Sequence, residues 1–370
     1  MKTIPLAVLR RMLFHSALVI LLVTGFTGCS KGNEDNPPAV DPWNAPVGAP
    51  IAGVTLLDGW TDLREVPAPV NISGGWTDSV AVSADGTSLF FGYGRWDFPE
   101  FYNSNSKVLD PTGPVRPGMT GNNFKMFRAD LGINGWTVSF VPFNGAPDVD
   151  EFAASPNLAE DVIVFSRFVG GTGDIYYTLK TGDTWSTPVA FPPSPPINTL
   201  CNDDNPFVVG SLTTGGTVYF ESNRVDPAAT ACGSIRHIYY TEYSPAGGGS
   251  FSAVQLVPGL NGAGVSDEDV QPFVTPDKSK AYWTAIRSTS PAYGVFSADL
   301  SGGSYTNVHP VALPTYAPPF TGKTVLIGEA NVAEVPQGWL MYMMCGIAQS
   351  ESGGQPRDVQ LKVCVARKLR

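Results

Sequence analysis

Carboxylates clustered ahead of short apolar runs are the side chains of this sequence that could do chemistry. In CNDDNPFVV, for example, two adjacent aspartates precede a Pro-Phe and an apolar run. Two carboxyl groups with separated pKa values can act as general acid and general base, as in glycoside hydrolysis. The candidate catalytic residues, all in such clusters, are Asp150, Asp203, Asp204, Asp267 and Glu268.

The same clusters could instead bind Ca²⁺ through oxygen ligands. Asp148 with Asp150, and Asp267 with Asp269, have suitable side chains. Neither pair lies in a loop with Gly at the sixth and Glu at the twelfth position, as an EF-hand requires. A structural calcium ion therefore stays open as an alternative, and we assign no metal ligand and no cofactor.

Nucleophilic catalysis has little support in the sequence. There is no Gly-x-Ser-x-Gly motif and no Cys-x-x-Cys motif. The three histidines, His15, His237 and His309, are not placed with a Ser and an Asp in any recognisable order. We therefore expect neither a serine or cysteine hydrolase nor a zinc or redox centre.

An arginine follows each acidic cluster at a similar distance, 17 or 20 residues along the chain. A repeated acid and a repeated arginine indicate a repeated ion pair, which is more typical of architecture than of catalysis. The predicted pairs are Asp78 with Arg95, Asp150 with Arg167, Asp204 with Arg224, and Asp267 with Arg287.

The acids and arginines belong to a longer repeat. Each copy has an acidic cluster, an apolar strand, a turn, an aromatic strand ending in Arg, a Gly-rich turn and further strands. Copies begin at Thr77, Asp148, Asn202, Ser266 and Gly328. Self-similar units of about four strands with turn signals between them predict the blades of a β-propeller.

This repeat resembles the WD40-like PD40 repeat of TolB-type propellers. The matching segments are Ser83-Ala84-Asp85-Gly86, Ser155-Pro156-Asn157, Phe165-Ser166-Arg167, Tyr219-Phe220-Glu221-Ser222-Asn223-Arg224 and Thr275-Pro276-Asp277. The resemblance covers residues 77 to about 300 and implies a propeller fold. It implies no particular activity, because one fold carries many functions.

We therefore expect an all-β protein with five four-stranded blades. Six blades would require the stretch before residue 76 to form most of a blade. We expect residues 51–76 to supply strands that close the last blade, and Phe98–Gly121 to be a long insert that is either functional or a surface excursion. The predicted blades are near 77–147, 148–200, 201–262, 263–322 and 323–370.

The acidic clusters precede the first strand of each blade, which lines the central channel of a propeller. Carboxylates from separate blades could therefore converge on one funnel at the end of the channel. Such a funnel could hold a ligand, or the acid and base of a glycosidase.

The first 28 residues read as an export signal. Lys2, Arg10 and Arg11 precede an apolar stretch, and the ending Thr27-Gly28-Cys29 resembles the lipobox of bacterial lipoproteins. The alternative is a plain signal peptide. The resemblance implies lipid attachment at Cys29, with residues 29–50 as a flexible tether. Ser30 and Lys31, rather than Asp, follow the cysteine, which favours the outer membrane of a Gram-negative bacterium.

Charge and cysteine content agree with export. The formal net charge is −10, and it becomes −13 when the three cations of residues 1–28 are removed. Such an acidic domain argues against nucleic acid and anionic lipid as partners. An even number of remaining cysteines suggests disulfides, although buried thiols are the alternative. Among three possible pairings we favour Cys201–Cys232 and Cys345–Cys364, because each pair falls within one repeat.

The sequence predicts a lipid-anchored, extracytoplasmic propeller that binds an envelope protein or a glycan in its funnel. This reading favours a binding module over an enzyme. The alternative is a carbohydrate-active hydrolase that uses carboxylates at the funnel.

Overall fold

The computed structural model of the protein describes residues 40–97, 100, 107–141, 143, 145, 148–169, 172–192, 196–264, 266–318, 320, 323–347, 350–352, 355–357 and 360–370. The predicted export signal, Cys29 and residues 29–39 of the predicted tether lie outside these residues. So do residues 98, 99 and 101–106 of the predicted insert.

The strands form five antiparallel blades that follow one another along the chain. The chain begins with β1 (Val54–Leu56) and β2 (Thr61–Glu65). Blade one contains β3 (Trp76–Val82), β4 (Ser88–Gly94), β5 (Lys125–Gly132) and β6 (Gly135–Phe140). Blade two contains β7 (Asp150–Pro156), β8 (Val162–Val169), β9 (Thr172–Thr181), β10 (Thr184–Trp185) and β11 (Val189–Ala190).

The remaining blades repeat this order. Blade three contains β12 (Asp203–Ser211), β13 (Gly215–Arg224), β14 (Cys232–Ser244), β15 (Ser250–Phe251) and β16 (Gln255–Leu256). Blade four contains β17 (Glu268–Val274), β18 (Lys280–Ile286), β19 (Tyr293–Ser301) and β20 (Ser304–Pro314). Blade five contains β21 (Val325–Val335), β22 (Gly338–Ile347) and β25 (Lys362–Leu369), and a separate hairpin of β23 (Ser350–Ser352) and β24 (Gln355–Arg357) lies between β22 and β25 in the chain.

The architecture confirms the expected five-bladed propeller of four-stranded blades. Short 3-10 turns occur at Pro42–Asn44 and Ala246–Gly248. Within the described residues, no helix has the length and apolar character needed to span a membrane.

The two N-terminal strands have different roles. β2 pairs with β25 and supplies the fourth strand of blade five, which closes the ring. β1 does not join that blade but pairs with β20 and adds a fifth strand to blade four. An N-terminal strand therefore covers the outer strand of blade four and of blade five, which shortens the exposed edge that invites strand pairing.

The propeller unit begins at Val40 and not at Ile51, so part of the expected tether belongs to the fold. The carbonyl of Trp43 accepts a hydrogen bond of 3.1 Å from Nε of Arg367, and its ring packs on the core of blades one and five. The stretch before Ile51 therefore adds contacts to the closure of the ring.

An aromatic side chain on the second strand of each blade forms the centre of the blade's packing. All five of these side chains are fully buried: Phe91, Phe165, Phe220, Trp283 and Tyr342. Burial of one such ring stabilises the fold by roughly 1.5–3 kcal/mol. The second strand of the sequence repeat, which is rich in aromatic residues, therefore contributes a buried core residue in every blade.

A repeated asparagine joins neighbouring blades. Asn71, Asn198 and Asn261 each lie in the segment that leads into a blade, and each bonds both backbone groups of one residue on the third strand of the preceding blade. For Asn198, the N–H of Ile175 donates to Oδ1 at 2.7 Å, and Nδ2 donates to the carbonyl of Ile175 at 2.9 Å. The amide of one asparagine thus satisfies both backbone groups of a residue in the preceding blade and links the two blades.

Candidate functional site

The innermost strand of every blade has the same irregularity. In each, the pairing with the second strand shifts register at one point, which is a β-bulge. One residue in each bulge has a positive φ between 44° and 57°: Ser79, Ala153, Asn205, Gln271 and Glu329. A positive φ is uncommon outside glycine, so its recurrence at one position of five strands is a built feature of the channel.

Four of these bulge residues form the floor of a cavity of about 420 Å³, which we call the funnel: Ser79, Asn205, Gln271 and Glu329. It lies at the end of the channel where the innermost strands begin. Aromatic rings and carboxyl groups make up most of its described wall. The aromatic side chains are Trp76, Trp96, Phe124, Phe152 and Phe168, and the carboxyl side chains are Asp78, Asp150, Asp204 and Glu329.

The aromatic wall belongs to blades one and two. The ring centroids of Trp76 and Trp96 are 5.8 Å apart, and those of Trp76 and Phe124 are 5.3 Å apart. Phe124 lies directly against β4, where a Cβ at Gly92 or Gly94 would meet its ring at 2.2 and 2.3 Å. Glycine at these positions therefore lets the ring of Phe124 approach the sheet and face the funnel.

Asp78 and Glu329 form a carboxyl pair at the funnel floor. Trp76 Nε1 donates to Asp78 at 2.7 Å, and Gln271 Nε2 donates to Glu329 at 2.9 Å. Burial raises the pKa of both groups, and the neighbouring charge of Asp78 raises the pKa of Glu329 further. Glu329 is thus the member of the pair that holds a proton most tightly.

A second acidic pair lies across β12 and β13, where Asp204 is directly opposite Glu221. Burial, and then the charge of Glu221, raises the pKa of Asp204 to about 7. Arg236 contacts Glu221 at 2.6 Å and Glu268 at 2.6 Å. The backbone N–H of Gln271 also donates to Glu221, at 2.8 Å, so Gln271 bridges the two carboxyl pairs.

The arginines of the repeat pair with a different acid from the one the spacing predicted. Arg167 binds Glu151 at 2.6 Å rather than Asp150. Arg224 binds Asp203 at 2.5 Å rather than Asp204. Successive side chains of a strand point to opposite faces, so only one acid of each cluster can face the arginine.

Blades four and one depart further from the predicted pairing. Arg287 pairs with Asp269, whereas Asp267 accepts from the N–H and hydroxyl of Ser288 at 2.8 and 2.7 Å. In blade one Arg95 bonds the carbonyl of Gly113 at 2.7 Å and does not pair with Asp78. The predicted pairs Asp267–Arg287 and Asp78–Arg95 are therefore wrong.

In blade one the structural role of the repeat arginine falls to Arg116, which the sequence reading missed. Its guanidinium donates to the carbonyls of Pro69 and Val70, as that of Arg224 does to Pro196 and Ile197. It also lies 4.6 Å from the ring centroid of Tyr93. Arg116 comes from the insert between β4 and β5, so spacing from the acidic cluster could not find it.

A lysine of the same insert reaches the funnel. Lys107 lines the cavity, its ammonium pairs with Asp150, and its Nζ lies 4.8 Å from the ring centroid of Trp96. The backbone N–H of Phe124 also donates to Asp150, at 2.9 Å. Asp150 thus holds a cation against an aromatic face.

The cysteines pair as expected, in Cys201–Cys232 and Cys345–Cys364. Among the residues that the structure describes, no group of three or more His, Cys, Asp and Glu side chains is arranged to hold a metal ion. The acids of the funnel instead have hydrogen-bond donors or each other as partners.

A second cavity of about 560 Å³ opens at the other end of the channel. Turns that follow the innermost strands line this cavity, and the half-buried Trp339 is the tryptophan in its described lining. The described lining includes two acids, Asp277 and Glu334, but no cluster of carboxyl groups comparable to that of the funnel.

No family model matches the chain, and no curated protein matches it in sequence. Several solved structures are similar in fold. TolB from Acinetobacter baumannii is 15% identical with a TM-score of 0.38, over 80% of this chain and 55% of that one. The chain thus spans about half the length of that TolB.

Glycoside hydrolases are also among the similar structures. A thermostable family-43 glycoside hydrolase is 13% identical with a TM-score of 0.46, over 81% of this chain and 91% of that one. An α-L-arabinofuranosidase from Podospora anserina in complex with cellotriose is 8% identical with a TM-score of 0.45, over 84% and 96%. None of these similarities bears on what the funnel of this chain binds.

Proposed function

We propose that the protein binds a glycan in the funnel, and that it does so at the cell envelope. One observation carries the proposal: an aromatic wall faces hydrogen-bonding carboxyl and amide groups across one cavity of about 420 Å³. A sugar ring has an apolar C–H face and a rim of hydroxyls, so it needs both kinds of surface. Cavities of this size and mixed lining are the usual ligand sites of proteins.

The two sides of the funnel would contact different parts of a sugar. Trp76, which is half-buried, offers a large, rigid ring that can cover the C–H face of a sugar at low entropic cost, and the buried ring of Trp96 packs against it. Asp204, Asn205 and Gln271 offer acceptors and donors for hydroxyls on the opposite side. A concave cavity that buries a small ring suits one or two sugar units better than the flat surface of a folded protein.

The location forms part of the same proposal. The basic and apolar leader, with its Thr27-Gly28-Cys29 ending, supports export and lipid attachment at Cys29. Two disulfides support an oxidising compartment, because such bonds rarely persist in the cytoplasm. We propose an outer-membrane lipoprotein with PD40-type repeats whose propeller samples glycans outside the cytoplasm.

Binding of the purified protein to immobilised glycans and to soluble oligosaccharides tests the proposal. Trp76→Ala should weaken binding at least tenfold, because it removes half of the tryptophan wall. Trp339→Ala is the matched control, since this tryptophan lines the cavity at the other end of the channel. Equal losses in both variants, or no saccharide bound by the parent protein, would overturn the proposal.

Glycoside hydrolysis is the second candidate, and two carboxyl groups with raised pKa values in the same cavity, Glu329 and Asp204, favour it. A protonated Glu329 could donate a proton to a leaving oxygen, while Asp204 titrates near neutral pH and could act as a base. Oligomers of arabinan, xylan and fructan should then be cleaved, and Glu329→Gln and Asp204→Asn should each abolish cleavage. Binding without turnover would leave the first proposal standing and end this one.

A further inference from the structure

We propose that the glycan bound by the funnel carries a free amino group, and that the ammonium of Lys107 marks the position which the ligand's ammonium takes. The inference rests on the proposed glycan-binding function and deepens it by naming the ligand class: an oligosaccharide of amino sugars. It rests on the contacts of Lys107, on how this residue is attached to the fold, and on the charge of the funnel.

The contacts of Lys107 are those of a bound cation. Its ammonium pairs with Asp150 and lies over the ring of Trp96, at 4.8 Å from the centroid. The side chain of Asp150 is only 2% exposed, and the N–H of Phe124 orients it. A cation between a desolvated carboxylate and an aromatic face is an arrangement by which proteins recognise ammonium groups.

The side chain of Lys107 is held loosely enough that another ammonium group could take its place. It comes from the connection between β4 and β5, and its side chain is 49% exposed. By contrast, Lys125 starts β5, is only 4% exposed, and donates to Glu151 and to the carbonyl of Val149. Exchange of Lys107 for another ammonium would conserve the ion pair with Asp150, so the exchange costs little electrostatic energy.

The charge of the funnel favours a cationic ligand. Four carboxyl groups and two cationic side chains, Lys107 and Arg236, line its described part. Burial raises the pKa values of Asp78, Asp204 and Glu329, so these three acids carry less than their full formal charge, and the ion-paired carboxylate of Asp150 is the group that a cation contacts. Arg236 already contacts Glu221 and Glu268, neither of which lines the cavity. The formal charge of the whole chain is −10, which raises the local concentration of cations and repels uronic acids.

The groups that face Asp150 and Lys107 also favour a positively charged ligand. On blades one and two they are the rings of Trp96, Phe124 and Phe152, and across the funnel Asp204 is the acid of blade three. An acetylated amine would lose both its charge and the ion pair. The site should therefore discriminate between a free and an acetylated amino sugar.

Calorimetry on the purified full chain with three matched oligosaccharides tests the inference. The probes are a glucosamine oligomer, its fully N-acetylated form, and a glucose oligomer of equal length, at a pH where the amine is protonated. The glucosamine oligomer should bind at least tenfold more tightly than the other two. Its advantage should shrink with added salt, because exposed charges are screened.

Three variants separate the ammonium site from a structural effect. Lys107→Met keeps the length of the side chain and removes the competing ammonium, so binding of the glucosamine oligomer should tighten several-fold. Lys107→Arg keeps a cation and should bind as the parent does. Asp150→Asn should abolish the preference for the amine, and a thermal melt identifies loss of folding.

The outcomes distinguish the two proposals. Equal affinity for all three oligomers, or weaker amine binding in Lys107→Met, would overturn the ammonium site and leave glycan binding in place. Failure of every oligosaccharide to bind would overturn the proposed function together with this inference. Capture of a lysine-rich peptide in place of the sugars would do the same and would point to a protein ligand.

Discussion

Asp203 and Asp204 are adjacent in the chain, yet their carboxyl groups have opposite surroundings. Asp203 is fully buried and pairs with Arg224 at 2.5 Å, whereas Asp204 lines the funnel opposite Glu221. The alternation of side chains along β12 separates them. The pair is therefore not an acid and base acting together: one member holds the blade and the other faces the ligand.

Replacement of these two neighbours should affect stability differently. Asp203→Asn leaves the buried guanidinium of Arg224 without its counter-charge, which typically costs about 3–5 kcal/mol. Asp204→Asn removes a buried carboxyl whose pKa is already raised, so at neutral pH it should leave stability unchanged or increase it. Denaturant unfolding of both variants measures the difference.

Equal destabilisation by the two substitutions would contradict the division of roles. The comparison also decides how the funnel should be tested for activity. A double substitution of Asp203 and Asp204 would confuse unfolding with loss of chemistry, so only Asp204 is a clean probe.

The raised pKa of Asp204 predicts a specific pH dependence. Between the ordinary aspartate value and about 7, the folded state holds a proton that the unfolded state releases. This contribution to the free energy of unfolding is complete at low pH and is lost as the pH rises through about 7. Since Asn does not titrate, the stability of Asp204→Asn relative to the parent should rise by roughly 2–4 kcal/mol between pH 5 and pH 8.

The difference between the two proteins is the quantity to measure, because other carboxyl groups titrate as well. Asp85 and Asp277, for example, have lowered pKa values from turn hydrogen bonds and act in the opposite direction at acid pH. A stability difference that stays constant from pH 5 to pH 8 would show that Asp204 titrates normally.

The sequence predicted those features that repeat with the blade. Five copies of one strand pattern identified the propeller, and the position of Cys201 and Cys232 within one copy identified their disulfide. These features are local in the chain, so spacing and alternation reveal them.

The features that sequence reasoning missed depend on contacts between blades. For Arg167, Arg224 and Arg287 the predicted partner was one or two residues away from the true acid, and Arg95 bonds a backbone carbonyl instead, because spacing does not fix where an acid points. Arg116 and Lys107 come from the insert in blade one, which does not follow the repeat pattern. The recurring asparagine was visible as Pro69-Val70-Asn71 and Pro196-Ile197-Asn198, and a comparison of the segments before each blade could have found it.

The asparagine that joins the blades should be costly to remove. Asn261→Ala leaves both backbone groups of Ile238 and the carbonyl of Val257 without this partner. Each buried group left unsatisfied costs about 1–3 kcal/mol, so the free energy of unfolding should fall by at least 2 kcal/mol. Asn44→Ala is the control, because Asn44 is exposed and bonds only Asp41 among its described side-chain contacts. A loss in Asn261→Ala no larger than in Asn44→Ala would contradict the joining role.

The insert arginine should matter more than the repeat arginine of blade one. Arg116→Met removes hydrogen bonds to the carbonyls of Pro69 and Val70 and the contact with the ring of Tyr93. We expect a loss of about 2–4 kcal/mol, since two buried carbonyls lose a charged donor. Arg95→Met removes a bond to the carbonyl of Gly113 at a more exposed position and should cost under about 1 kcal/mol. Thermal and denaturant unfolding compare the two, and the reverse ranking would show that the insert is a passive loop and that Arg95 keeps the role of its counterparts in the other blades.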